Sequence, residues 1–175
     1  AIHLCAAFTV CALVLWTVFD IRQGRRSLGG NGSAEARWVR ALLGLLVLQI
    51  VYGAFTAGLD AGHIYNTWPL MDGALVPPGL FVIEPAWRNF FENAMTVQFM
   101  HRVLAYVIAV AVLAYAYFTP SRTAALLAAT VLPQIVLGIW TLLWVVPLWL
   151  GLVHQGGALV VLAAALWNQH QVLTK

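Results

Sequence analysis

A chain of 175 residues that is 62% hydrophobic and only 9% charged, with a mean hydropathy of +0.87, has too much apolar surface to fold as a soluble domain. Its composition is that of an all-α polytopic membrane protein. The net charge of +3 is small, and most of the basic residues gather in one connection, which is a topology signal and not a nucleic-acid surface.

Five apolar runs of about twenty residues, each about long enough to cross a hydrocarbon core, occupy residues 1–19, 39–59, 94–118, 123–146 and 149–167. The first starts at Ala1 with neither Met nor a charged leader, so the expectation is a piece of a longer chain. Cys5 and Cys11 are six apart on this helix, where their side chains diverge, so they are read as packing residues and not as a disulfide. The connection that follows carries Arg22, Arg25, Arg26, Arg37 and Arg40, with a Gly/Ser-rich stretch over 24–33 that reads as a flexible loop. With Arg122 and Lys175 these residues mark the cytoplasmic side.

The second connection, 60–93, carries Asp60, Asp72, Glu84 and Glu92 against Arg88 alone and belongs on the outer side. Its prolines and glycines predict an irregular structured cap, with a short helix from Pro85 to Phe91 at headgroup depth. Glu92 reads as an acidic residue favoured near a helix N-terminus. The third helix opens on Gln98, His101 and Arg102, a polar group in an otherwise apolar segment. Ionisable residues there are expensive enough to mark function. The fourth and fifth helices follow after short turns, the last ending inside at 169–175.

An internal repeat underlies this order. Gln49-Ile50-Val51-Tyr52-Gly53-Ala54-Phe55-Thr56 in the second helix matches Gln134-Ile135-Val136-Leu137-Gly138-Ile139-Trp140-Thr141 in the fourth as Q-I-V-x-G-x-aromatic-T. His3 precedes Trp16 by thirteen residues, and His154 precedes Trp167 by the same interval. The alternation suggests parallel repeats about an axis along the membrane normal.

Topology places His3, His101 and His154 near the outer ends of their helices. At about 1.5 Å per residue, His101 lies roughly 10 Å below Ala94 and His154 roughly 7 Å below Trp149. One such histidine can equally hydrogen-bond a neighbouring carbonyl. Two at matched depth on facing helices suit the opposite faces of one haem. Neither Cys nor carboxylate stands near them in sequence for a structural zinc, and copper through two imidazoles suits an apolar, aromatic-rich bundle less well than a macrocycle does. Gly53 and Gly138 can make room for a flat ring or for close helix packing, and Arg102 can reach a propionate or snorkel to headgroups. In the outer loop Asp60, Tyr65, Asn66, Trp68 and Arg88 can lid a cofactor edge or simply hold the loop together. His63 and His170 are read as solvated surface residues.

Several segments, Ala57-Gly58-Leu59-Asp60-Ala61-Gly62, Tyr65-Asn66-Thr67-Trp68-Pro69-Leu70-Met71, Trp87-Arg88-Asn89-Phe90-Phe91-Glu92-Asn93, Val97-Gln98-Phe99 with His101-Arg102, and His154-Gln155, together resemble the haem A synthase family. That family has eight transmembrane helices in two pseudo-symmetric halves, each with paired histidines. The resemblance implies that residues 1–19 are the last helix of an incomplete N-terminal substrate half and 20–38 a cytoplasmic linker. Residues 39–175 would be a C-terminal four-helix domain holding haem b, with His101 and His154 as its axial iron ligands. It further implies that His3 is the second histidine of the substrate half, that the reaction oxidises the C8 methyl of haem O to the formyl group of haem A, and that the haem b passes electrons. The implied partners are haem O, the lipid bilayer, haem O synthase and an electron carrier, with no nucleic acid. The implied location is a bacterial or mitochondrial inner membrane. The main catalytic candidates of the family fall outside these residues, so the chain on its own is expected to hold haem without completing the reaction. The competing readings are a b-type electron-transfer cytochrome, a proton-relaying transporter and an assembly subunit.

Overall fold

The computed structural model describes residues 1–23 and 32–174, so Arg25, Arg26 and most of the expected loop over 24–33 lie outside the described residues. The helices are α1 (Ile2–Gln23), α2 (Ala34–Gly58), α3 (Asn89–Glu92), α4 (Ala94–Phe118), α5 (Arg122–Leu143) and α6 (Leu148–Leu173). Single 3-10 turns lie at Ala61–His63 and Ala86–Arg88. All but α3 are long and apolar enough to cross a membrane, and the described residues contain no strand.

Three of the long helices run past the apolar stretches that announced them. The hydrogen-bond ladder needs a cap and good helix formers, whereas hydropathy marks only the part that meets lipid. Thus α2 starts at Ala34, where the Ser33 hydroxyl accepts from the Ala36 amide at 3.0 Å. Likewise α1 continues to Gln23 and α6 to Leu173. In contrast α5 stops at Leu143, short of the expected 146. There Val145 and Val146 take left-handed backbone (φ +60° and +52°), and the Val146 amide donates to the Thr141 carbonyl at 2.9 Å. β-branched residues rarely adopt this region, so the turn is locally strained.

Helix α2 packs against α4 and α6, and α5 packs against the same two helices, so the four form a closed ring. Helix α1 lies outside it, against α6 and α2. The dense core unites the first half of α2 (Leu42, Leu46), the second half of α4 (Ile108, Val112), the first half of α5 (Leu127, Val131) and the second half of α6 (Val161, Ala165). All of these are at the end away from the 60–93 loop. The ring is therefore packed at its far end, and the loop end is where a cavity remains.

The extended ends of α1 and α6 correct the reading of His170. It lies inside α6 and is fully buried; its Nε2 pairs with Asp20 Oδ1 at 2.9 Å, and Trp16 and Phe19 meet its ring edge-on. Gln171, the next residue of α6, donates to Gln23, three residues beyond Asp20 on α1. Helices that continue past their apolar runs bring their polar ends into register, and that register buries the imidazole. Cys5 and Cys11 carry free thiols.

The loop is stitched by two asparagines. Asn89 is fully buried and donates to the carbonyls of Ile83 and Ala86. Asn93 caps α4, its Oδ1 accepting from the amides of Met95 and Thr96, while its Nδ2 donates to the carbonyls of Gly79 and Leu80. Asn93→Ala removes the cap and strands buried carbonyls at once. The expected loss is about 1–3 kcal/mol, seen as a lower thermal midpoint in detergent and faster proteolysis within 60–93. Glu92 sits in α3 and not at the start of α4; it accepts from Arg88, whose hydrogen bonds hold its carboxyl below the usual range, so the exposed pair stays ionised at neutral pH.

Candidate functional site

A cavity of about 570 Å³ opens at the loop end among α2, α4, α5 and α6, with Leu4 and Phe8 of α1 on its flank. That volume lies within the roughly 300–1,000 Å³ range of small-molecule and cofactor sites. Both His101, from α4, and His154, from α6, line it. Their matched position along the helices brings them to one space.

The internal repeat explains how each histidine is held. Gln49 Nε2 donates to the His101 carbonyl at 3.1 Å and lies 3.5 Å from His101 Nε2. Gln134 Nε2 donates to the His154 carbonyl at 2.7 Å and lies 3.2 Å from His154 Nδ1. Four residues on, each repeat has its glycine. A Cβ at Gly53 would stand 3.3 Å from His101 Cε1, and a Cβ at Gly138 would stand 2.9 Å from His154 Cε1. Residues i and i+4 share a helix face, so glutamine and glycine together present a slot to the imidazole of the neighbouring helix. Even the final threonines correspond: Thr56 and Thr141 each donate to the carbonyl four residues back. The two glycines therefore clear space directly beside the histidine rings.

Arg102 also lines the cavity. Its guanidinium donates to the carbonyls of Thr67 and Tyr65, each at 2.8 Å, and Gln98 Nε2 donates to Tyr65 as well, at 3.0 Å. Thus α4 carries the loop on the polar group next to His101. Arg102 Nε is buried without a partner among the described residues. Asn66 ties the loop to the end of α5 through the carbonyls of Gly62 and Leu142, and Trp68 donates to the Tyr106 hydroxyl at 2.9 Å. Asp60 and Trp68 border the cavity, as does the exposed His63. Arg88 is engaged with Glu92 and Glu84 and is not part of the lining.

The sequence family described as cytochrome oxidase assembly protein, COX15-CtaA, matches residues 1–166, which include every element of this cavity up to the middle of α6. The chain belongs to that family. It is 44% identical over 177 residues to a haem A synthase of Parvibaculum lavamentivorans, covering 98% of this chain and 51% of the relative. It is 42% identical over 180 residues to the haem A synthase of Nitrosospira multiformis, covering 97% and 51%, and 46% identical over 180 residues to that of Rhizobium rhizogenes, covering 96% and 48%. The chain thus spans about half the length of these curated relatives. No solved structure matches it.

Within this COX15-CtaA chain, then, His101, His154, Arg102, Gly53 and Gly138 all line one cavity. His3 is not among its lining residues and is exposed near the start of α1. The glutamines are what the sequence reading missed. Gln49 and Gln134 were visible as the first letter of the repeat, and the signal that assigns them is the i, i+4 spacing to a glycine on a helix adjacent to a histidine-bearing one.

Proposed function

We propose that this chain is part of a haem A synthase, and that residues 39–175 form its haem b domain with His101 and His154 as the axial iron ligands. The observation that carries the reading is the convergence of the two histidines, each in its own glutamine and glycine frame, on one cavity. Among the described residues no three His, Cys, Asp or Glu side chains gather as a metal site. A pair of imidazoles suits an iron that brings its equatorial ligands with it. His101 Nδ1 is buried with no partner, a polar atom left over as a cofactor site would leave it.

The established chemistry of a bound haem b is one-electron transfer. The chain's own residues hold and screen it. Arg102 pins the loop over the cavity through Tyr65 and Thr67, and its position near the mouth suits a propionate contact. The loop tie at Asn66 and the Trp68–Tyr106 bond limit the entry of water.

In this reading the substrate is haem O, whose C8 methyl is oxidised to the formyl group of haem A in the whole protein. Residues 1–19 would then belong to the substrate half, with His3 as one of its histidines. Its exposure, on a helix outside the ring, fits a residue that faces another part of the protein. Residues 20–38 are proposed as the cytoplasmic linker. The arginines at the far end and the acidic loop at the other support an orientation with 60–93 outside and the C-terminus inside. The proposed setting is a bacterial or mitochondrial inner membrane, beside haem O synthase and an electron carrier.

The whole protein purified in detergent should give a b-type pyridine haemochrome and a low-spin absorption spectrum. A membrane extract supplied with haem O should gain the formyl-bearing pigment. A high-spin spectrum would overturn the paired-histidine ligation, and haem O left unchanged would leave the b-type cytochrome as the better reading.

A further inference from the structure

Residues 64–83 of the outer loop carry one charged side chain, Asp72, yet Pro69, Pro77 and Pro78 keep them from forming a helical span. Folded as a water-facing cap, such a segment would turn its apolar side chains inward. Instead Leu75 is 78% exposed and Val76 63% exposed, and Leu70 is exposed as well. Apolar groups exposed together mark a surface that meets something other than water.

Helix α4 shows what that surface meets. Phe99, Val103, Tyr106, Val110, Leu113 and Tyr117 recur at steps of three and four residues, which sets them in one stripe along the helix. The inner half of the stripe is open: Val110 is 69% exposed, and Leu113 and Tyr117 are exposed with it. On a helix that crosses the membrane, that half faces lipid. The outer half meets the loop. Trp68, Met71 and Leu75 line one gap of about 200 Å³ with Phe99, Val103 and Tyr106, and Trp68 Nε1 donates to the Tyr106 hydroxyl at 2.9 Å. Tyr106 lies twelve residues into α4, about 18 Å along its axis. The loop therefore runs along the lipid side of α4 as well as over the ring.

The backbone of this segment is equipped for that place, because irregular chain at membrane depth is tolerated only where its polar groups are satisfied. Met71 and Ala74 exchange both amide–carbonyl bonds, at 2.8 and 3.2 Å, and Asp72 and Gly73 take left-handed backbone to close the turn between them. The Thr67 hydroxyl donates to the Leu70 carbonyl and accepts from the Asp72 amide. The carbonyls of Tyr65 and Thr67 accept from Arg102, and that of Tyr65 from Gln98 also.

We propose that the turn over residues 67–76 is inserted in the outer leaflet, with lipid acyl chains against Leu70, Leu75 and Val76. The lipid-facing stripe of α4 then continues onto the loop, and hydrocarbon in place of water covers the Arg102 side of the cavity. The inference stands on α4 crossing the membrane and not on the haem reading.

The test is spin-label accessibility in the whole protein, reconstituted in vesicles of phosphatidylcholine and phosphatidylglycerol with its native cysteines replaced. The single-cysteine variants are Leu75→Cys and Val76→Cys, with Val110→Cys as the lipid reference and Glu84→Cys, at an exposed acidic position of the same loop, as the water reference. Each label is read by its collisions with oxygen, which concentrates in hydrocarbon, and with a neutral nickel chelate, which stays in water. The expected oxygen-to-nickel ratio at positions 75 and 76 matches that at 110 and stands several-fold above that at 84. A ratio at either position that matches 84 places the loop in water and overturns the proposal. Low collision with both reagents at either position overturns it too, because a protein surface then covers the loop. If one variant fails to insert, the other decides.

Discussion

Replacing His101 or His154 by alanine is expected to reduce the haem bound per protein to background while leaving the helical fold in place. The two effects separate because each histidine is held twice. Its carbonyl accepts from the glutamine of the adjacent helix, at 3.1 Å for His101 and 2.7 Å for His154, and these bonds involve only the backbone at the substituted position. The dense core that holds the ring together is built from the other halves of the helices, and neither histidine is one of its members. Losing the imidazole therefore removes a proposed iron ligand and enlarges a space that is already a cavity, and the fold gives up little packing. The comparison is His63→Ala, in an exposed residue at the edge of the same cavity, where haem content should be unchanged. Haem-to-protein ratios from the pyridine haemochrome, with circular dichroism for the fold, read both outcomes. Low-spin haem persisting in both alanine variants would remove these histidines as ligands.

Gly138→Ala should be the most damaging single-methyl change in the chain's repeat, and Gly53→Ala distinctly milder. Alanine in place of glycine within a helix normally stabilises by about 1 kcal/mol, so any loss must come from what the new methyl meets. At 138 it meets His154 Cε1 at 2.9 Å, closer than real carbon contacts allow, on a ring whose Nδ1 lies 3.2 Å from Gln134 Nε2 one turn back on the same helix. At 53 the corresponding distance is 3.3 Å, which a few tenths of an ångström of ring movement relieves. Gly44, further back on α2, has nothing within 4 Å, and alanine there should simply stabilise. The expected order of thermal midpoints is Gly44→Ala above the unaltered protein, then Gly53→Ala, then Gly138→Ala, with haem content falling sharply only in the last. Equal haem content across the three would show that the slot beside His154 does not constrain the ring.

How much of this was legible beforehand follows from what each sequence signal measures. Hydropathy reports contact with lipid, and it located all five long helices. It placed both ends of α4 but not the start of α2 or the end of α5, since Ser33 begins α2 by capping a charged turn, and α5 stops before a strained pair of valines inside an apolar run. The misread ends then misplaced His170, whose burial depends on two polar helix ends meeting in space. The histidine pair was accessible because depth in a membrane helix can be counted along the chain. The role of the glutamines was not, because a carboxamide in a helix looks the same whether it faces a histidine, a carbonyl or another helix. Only the neighbour's position decides, and the repeat gave the spacing without saying which helix lay alongside. Arg102 shows the same limit: its charge was conspicuous, yet its two carbonyl partners come from a loop more than thirty residues earlier.

The uneven filling of the four-helix ring has a mechanical consequence. The ring has the form of tongs, with Leu46, Ile108, Val131 and Val161 at the base and His101 and His154 toward the tips, where Tyr52, Val97 and Leu104 still join α2 to α4. Because the contacts that hold the ring lie mainly at that base, the space between the tips stands open without loss to the common core. The loop tied to α4 through Arg102 and to α5 through Asn66 spans the two sides of that gap as a strap.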